Sequence, residues 1–149
     1  MPNIHLRISD DRLSKIETRA DPARGGISEA IRESLSRYYY LLDYERSKMQ
    51  DIFTAGELSL MVDLCNGTVF QPHTVINGVS GNVADAEDFY FEKWKCDRKE
   101  LLAKLDKLTP AQHFTLVDAI ERFWSEISRS PSLDQPKPWE ILKDMSCPK

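Results

Sequence analysis

Residues 2–8 read P-N-I-H-L-R-I, and their alternation is strict: Ile4, Leu6 and Ile8 are apolar, Asn3, His5 and Arg7 polar. A strand sends alternate side chains to opposite faces, so this pattern describes one apolar and one hydrogen-bonding face. Helical patterns follow at once, with no hairpin turn to a second strand. A lone strand leaves its backbone donors and acceptors unpaired. Two readings satisfy that constraint. One is a terminal edge strand with solvent-facing polar residues. The other pairs the strand with its copy in a second chain, as a two-stranded antiparallel ribbon. Such a ribbon fits the DNA major groove, where Asn can pair adenine and Arg can pair guanine.

The chain has 149 residues, enough for one domain or two small ones. An apolar fraction of 41% allows a core, but no run approaches the roughly 18 apolar residues of a spanning helix, so no membrane association is expected. The opening shows no basic stretch followed by an apolar run, which favours a cytoplasmic protein. Cys65, Cys96 and Cys147 are widely spaced and odd in number, and are read as free thiols with no metal-ligand spacing. The net charge of −4 does not advertise a nucleic-acid binder. It is uneven, however: residues 1–50 hold nine Lys/Arg against eight Asp/Glu, and the acidity lies behind them. Phosphate contact needs local positive charge, not a basic whole.

Ser9 is a natural N-cap, with Asp10 and Asp11 favoured by the helix dipole in the first turn. Leu13, Ile16 and Ala20 give a short helix over about 10–20, ended by Asp21-Pro22. Arg24-Gly25-Gly26 is a turn. A long second helix opens at Ile27-Ser28-Glu29, with Ile27, Ile31, Leu35, Tyr38, Leu42 and Met49 as its buried stripe.

Strand, short helix, glycine turn and a second helix opening S-E-A-I-R-E-S-L together resemble the ribbon-helix-helix DNA-binding family over residues 2–45. The resemblance implies two interlocked chains, with the ribbon in the major groove. By position it makes Asn3, His5 and Arg7 base readers. It makes Gly26, Ile27 and Ser28 the helix start that grips a backbone phosphate. Gly26 stands where the family often has Ser or Thr. Plain helix capping is the alternative role for Ser28.

Tyr38-Tyr39-Tyr40 cannot all face one core on a helix, so one or two are expected to face the dimer partner or the C-terminal part. The first module is expected to end near Gln50–Phe53. Thr54-x-x-Glu57 is a capping box for a helix carrying Leu58, Met61, Val62 and Cys65, stopped at Asn66-Gly67. Residues 67–83, rich in Gly, Asn and Thr, read as loop, and His73 as a surface histidine. Asp85–Lys95 reads as an aromatic helix with Phe89, Tyr90 and Trp94 in a core, the alternative being a patch for a partner. Asp97 starts a leucine-bearing helix, and Thr109-Pro110-Ala111-Gln112 is a second capping box. These last two helices are expected to form an antiparallel hairpin. Residues 129–149 are a Pro/Ser-rich tail, with 129–138 as a mobile linker and Trp139–Leu142 as a short docking turn.

The fold expected is therefore mainly α: a ribbon-helix-helix module over 1–50, a helical domain over 54–128, and the tail. No phosphate-loop, nucleophile-elbow or zinc-protease motif occurs, so no catalytic residue, metal ligand or cofactor is expected. The function expected is a homodimeric DNA-binding transcriptional regulator, a repressor with two dimers on neighbouring half-sites of double-stranded DNA. The alternative is an antitoxin or protein-interaction adaptor, whose front dimerises and whose C-terminal helices hold a protein partner.

Overall fold

A computed structural model describes residues 7–129 of the chain. Every regular element among the described residues is helical. The ribbon-helix-helix fold is therefore corrected. Arg7 and Ile8, the end of the expected strand, run as irregular backbone straight into the first helix. No strand among the described residues offers them a ladder partner, and short alternation without a partner does not hold a strand. Asn3 and His5 lie outside the described residues.

Helix α1 covers Asp10–Glu17. The Leu13 amide donates to the Ser9 carbonyl at 2.8 Å, which closes its first turn. Asp21 then accepts from the Ala23 amide at 2.9 Å and starts a 3-10 turn, Pro22–Arg24. Gly25 (φ 91°) and Gly26 (φ 64°) reverse the chain in the left-handed region, where a side chain is disfavoured. Helix α2 runs from Gly26 to Ile52, about 40 Å at 1.5 Å per residue. The chain divides into two compact units between Tyr40 and Leu41.

The unit from Leu41 onward holds a contiguous core, which includes Met49, Phe53, Leu60, Met61, Val79, Leu101, Leu105 and Leu116. Helix α3, Ala55–Leu64, is buried continuously from Glu57 to Val62. Its start is the capping box expected: Glu57 N–H donates to Thr54 Oγ1 and Thr54 N–H donates back to Glu57 Oε2. Glu57 also receives Lys104 Nζ at 2.7 Å, which compensates a carboxylate 4% exposed. Gly67 (φ 76°) follows α3.

Helix α4, Val75–Asp85, occupies most of the stretch read as loop. Its composition is poor for a helix. Val75, Val79 and Val83, spaced at i, i+4 and i+8, are all buried and outweigh that local preference. Gly78 lies against the Phe70 ring, and a Cβ there would sit 2.7 Å from it, so the ring would have to shift. Asp85 ends α4, and Ala86 and Glu87 are extended. The expected 85–95 helix is thus shorter, α5 over Asp88–Trp94. Phe91 is its buried ring; Tyr90 and Trp94 are half-buried, and Phe89 is exposed.

Helix α6, Arg98–Asp106, is capped by Asp97, which accepts from the Glu100 amide at 2.8 Å. Helix α7, Pro110–Arg129, opens on the second capping box, with the reciprocal bonds between Thr109 and Gln112 both made. The antiparallel hairpin expected of these two is not the main packing. Both pack chiefly on α4, and α3 packs on α4, α5 and α7. Trp124 Nε1 donates to the Val62 carbonyl at 3.0 Å and ties α7 to α3. Cys65 and Cys96 are free, and burial pushes both thiols above their ordinary range. Cys147, the Pro/Ser-rich linker and Trp139–Leu142 lie outside the described residues.

The α3–α5 approach supplies a sharp test. A Cβ on Gly56 would meet the Trp94 carbonyl oxygen at 2.6 Å. Backbone cannot step aside as a side chain can. Gly56→Ala is expected to cost about 1–3 kcal/mol by overpacking, read as a lower urea midpoint, despite the better helix propensity of alanine. A stability equal to or above the parent's would contradict this close approach.

Candidate interaction face

Arg7 is exposed, precedes α1 and makes no hydrogen bond or ion pair among the described residues. Gly26, Ile27 and Ser28 open α2. Their setting is not that of a simple phosphate cradle. The Gly26 amide already donates to the Asp21 carbonyl at 3.0 Å. A small cavity of about 110 Å³ beside it is lined by Arg19 and Arg24, but also by Asp21, Glu29 and Glu33. Those three carboxylates oppose a second anion. Three basic side chains nearby are paired locally, Arg24 with Asp21 at 3.8 Å, Arg32 with Glu29 at 3.1 Å and Arg37 with Glu33 at 3.6 Å, while Arg19 has no ion pair among the described residues. Such exposed pairs add little stability, yet they cancel the positive field a duplex needs.

What the helices do present is apolar. None of residues 7–41 is buried. Within this unit α1 and α2 leave a cavity of about 230 Å³ beside Ile16 and Ala30, where a closed core would be filled. Along α2, Ile27 is 39% exposed, Leu35 46%, Tyr38 39% and Tyr39 54%. Leu41 is also exposed. At about 100° per residue these side chains share one face with half-buried Ile31, while Glu29, Glu33 and Arg37 lie on the other side. The Tyr38 and Tyr39 rings meet edge to face at 5.5 Å, which presents them as one aromatic surface.

The expectation that this stripe is buried throughout is therefore corrected in its first half. Leu42 and Met49 are fully buried in the C-terminal unit. Periodicity identified the apolar side of α2, but periodicity carries no information on what covers it. The exposure of Ile27 and Leu35 is what sequence reading missed; for the three adjacent tyrosines it expected that one or two would turn away from the core.

No group of three or more His, Cys, Asp and Glu side chains among the described residues is placed to hold a metal ion. No helix among them is long and apolar enough to cross a membrane. The chain matches no family model, no curated protein and no solved structure, so the face is read from its own chemistry.

Proposed function

We propose that the chain is a self-associating protein-interaction adaptor, in which two copies meet along the first half of α2 and each carries one C-terminal helical domain. The observation that supports it is the exposed set Ile27, Leu35, Tyr38 and Tyr39 in a unit that has no buried residue among the described residues 7–40. Contiguous apolar surface of this kind marks an interaction site on a water-soluble protein. A second copy suits it well. Ile31, Leu35 and Tyr38 are spaced by four and then three residues, the interval that lets two like helices interdigitate. A two-fold interface asks only that one patch be complementary to itself. The C-terminal helices, with their own continuous core, remain free to hold a further protein.

Size-exclusion chromatography with light scattering tests the reading. Leu35→Glu combined with Tyr38→Glu places two charges in the seam. The variant is expected to weaken association by at least about 100-fold, from roughly 1.4 kcal/mol per tenfold and the cost of burying unpaired charge. Helical circular dichroism should persist, because the Leu41–Arg129 core is untouched. Identical masses for parent and variant would exclude this seam.

A further inference from the structure

Helices α4 and α6 and the first turn of α7 enclose a half-open cavity of about 530 Å³, entirely within the C-terminal unit. Its size falls in the range of about 300–1,000 Å³ typical of small-molecule sites. One wall is apolar, formed by Ile76, Leu102, Leu105 and Leu108. The polar groups are few and come from each helix in turn: Asn77 and Ser80 from α4, Asp106 from α6 and His113 from α7.

Two of these groups select the ligand. Asp106 is the only charged residue in the lining, and no ion pair among the described residues uses it. An anion would therefore face a carboxylate with no cation to offset it. His113 is 5% exposed and lines the cavity; its Nδ1 is closed off from the cavity too, which leaves Nε2 as the ring atom a ligand can reach. Burial holds the imidazole below its ordinary pKa of 6.5, so it is neutral near pH 7 and supplies a hydrogen bond instead of a positive charge.

We propose that this cavity binds a small amphipathic amine, with its apolar body against Leu102, Leu105 and Leu108, its ammonium at Asp106 and a hydrogen-bonding group at His113. Asn77 and Ser80 provide further acceptors along the same rim. The site is independent of the α2 face, and either can fail without the other.

Three probes share an indole body and differ at the chain end: tryptamine carries an ammonium, tryptophol a hydroxyl and indole-3-propionate a carboxylate. With the full-length isotope-labelled chain, tryptamine is expected to give saturable amide shifts at Asn77, Asp106 and His113. Tryptophol should bind about tenfold more weakly, or about 1.4 kcal/mol, and the propionate weakest of all. Asp106→Asn, at an exposed position, should reduce tryptamine to the level of tryptophol. Ala103→Trp, at an exposed lining position, should abolish binding of all three. The proposal is overturned if tryptamine gives no saturable shift up to about 10 mM, a concentration that reaches the weak limit for so small a molecule. It is equally overturned if the acid binds as well as the amine, or if the shifts fall outside α4, α6 and α7.

Discussion

Arg46→Ala lowers the unfolding free energy by about 3–5 kcal/mol, the cost expected when one partner of a buried ion pair is removed. The Arg46 side chain is 3% exposed and bridges two carboxylates. One guanidinium nitrogen donates to Asp43 Oδ1 at 2.8 Å within α2, and the other donates to Asp118 Oδ2 at 2.9 Å on α7. Truncation leaves Asp118, 20% exposed, without this cation. Glu121 lies in the same negative field; burial, and then Asp118, push its carboxyl above its ordinary range. Arg46→Lys keeps the charge but not the two-sided reach of the guanidinium, so it should recover only part of the loss. Urea denaturation of the three proteins measures the series. A change below about 0.5 kcal/mol for the alanine variant, the size of an ordinary surface substitution, would deny Arg46 its role in joining α2 to α7.

The second large effect lies on α6. Leu101 is fully buried in the core, on a helix packed against α4. Leu101→Ala is expected to cost about 2–5 kcal/mol through lost burial and the cavity left behind. Leu101→Met, close in volume, should cost under about 1.5 kcal/mol. Val69→Ala, at a position 77% exposed, should stay within about 0.5 kcal/mol. If Leu101→Ala matched Val69→Ala, the packing of α6 on α4 would be wrong.

The contrast between α4 and its neighbours explains what could be read in advance. The starts of α3, α6 and α7 rest on contacts between residues three apart: Thr54 with Glu57, Asp97 with Glu100, Thr109 with Gln112. Chemistry that local is visible in a sequence. The sequence V-I-N-G-V-S-G-N-V is not helical by local preference. It becomes a helix because three valines find a core built by α3, α6 and α7, and that core is assembled from distant positions. The expected pairing of α6 with α7 failed for the same reason, since the element both pack on had not been recognised. At the N-terminus the error ran the other way. Alternation in residues 2–8 suggested a strand, while the apolar periodicity of α2 runs through surface that the described residues leave exposed. Ile27, Ile31, Leu35 and Tyr38 fall on one helix face by spacing alone; their exposure depends on which atoms are absent around them, and no residue pattern encodes that. The cavity at His113 was likewise illegible, because its lining joins positions from α4, α6 and α7 that only the fold brings together.

Sedimentation equilibrium of the full-length chain across a micromolar concentration series addresses self-association most directly. A mass rising to twice the 17.2 kDa of one chain is expected, without added nucleic acid. A mass that stays at one chain throughout would contradict the pairing of α2 with its copy, and the exposed Ile27–Leu41 face would then need a different partner.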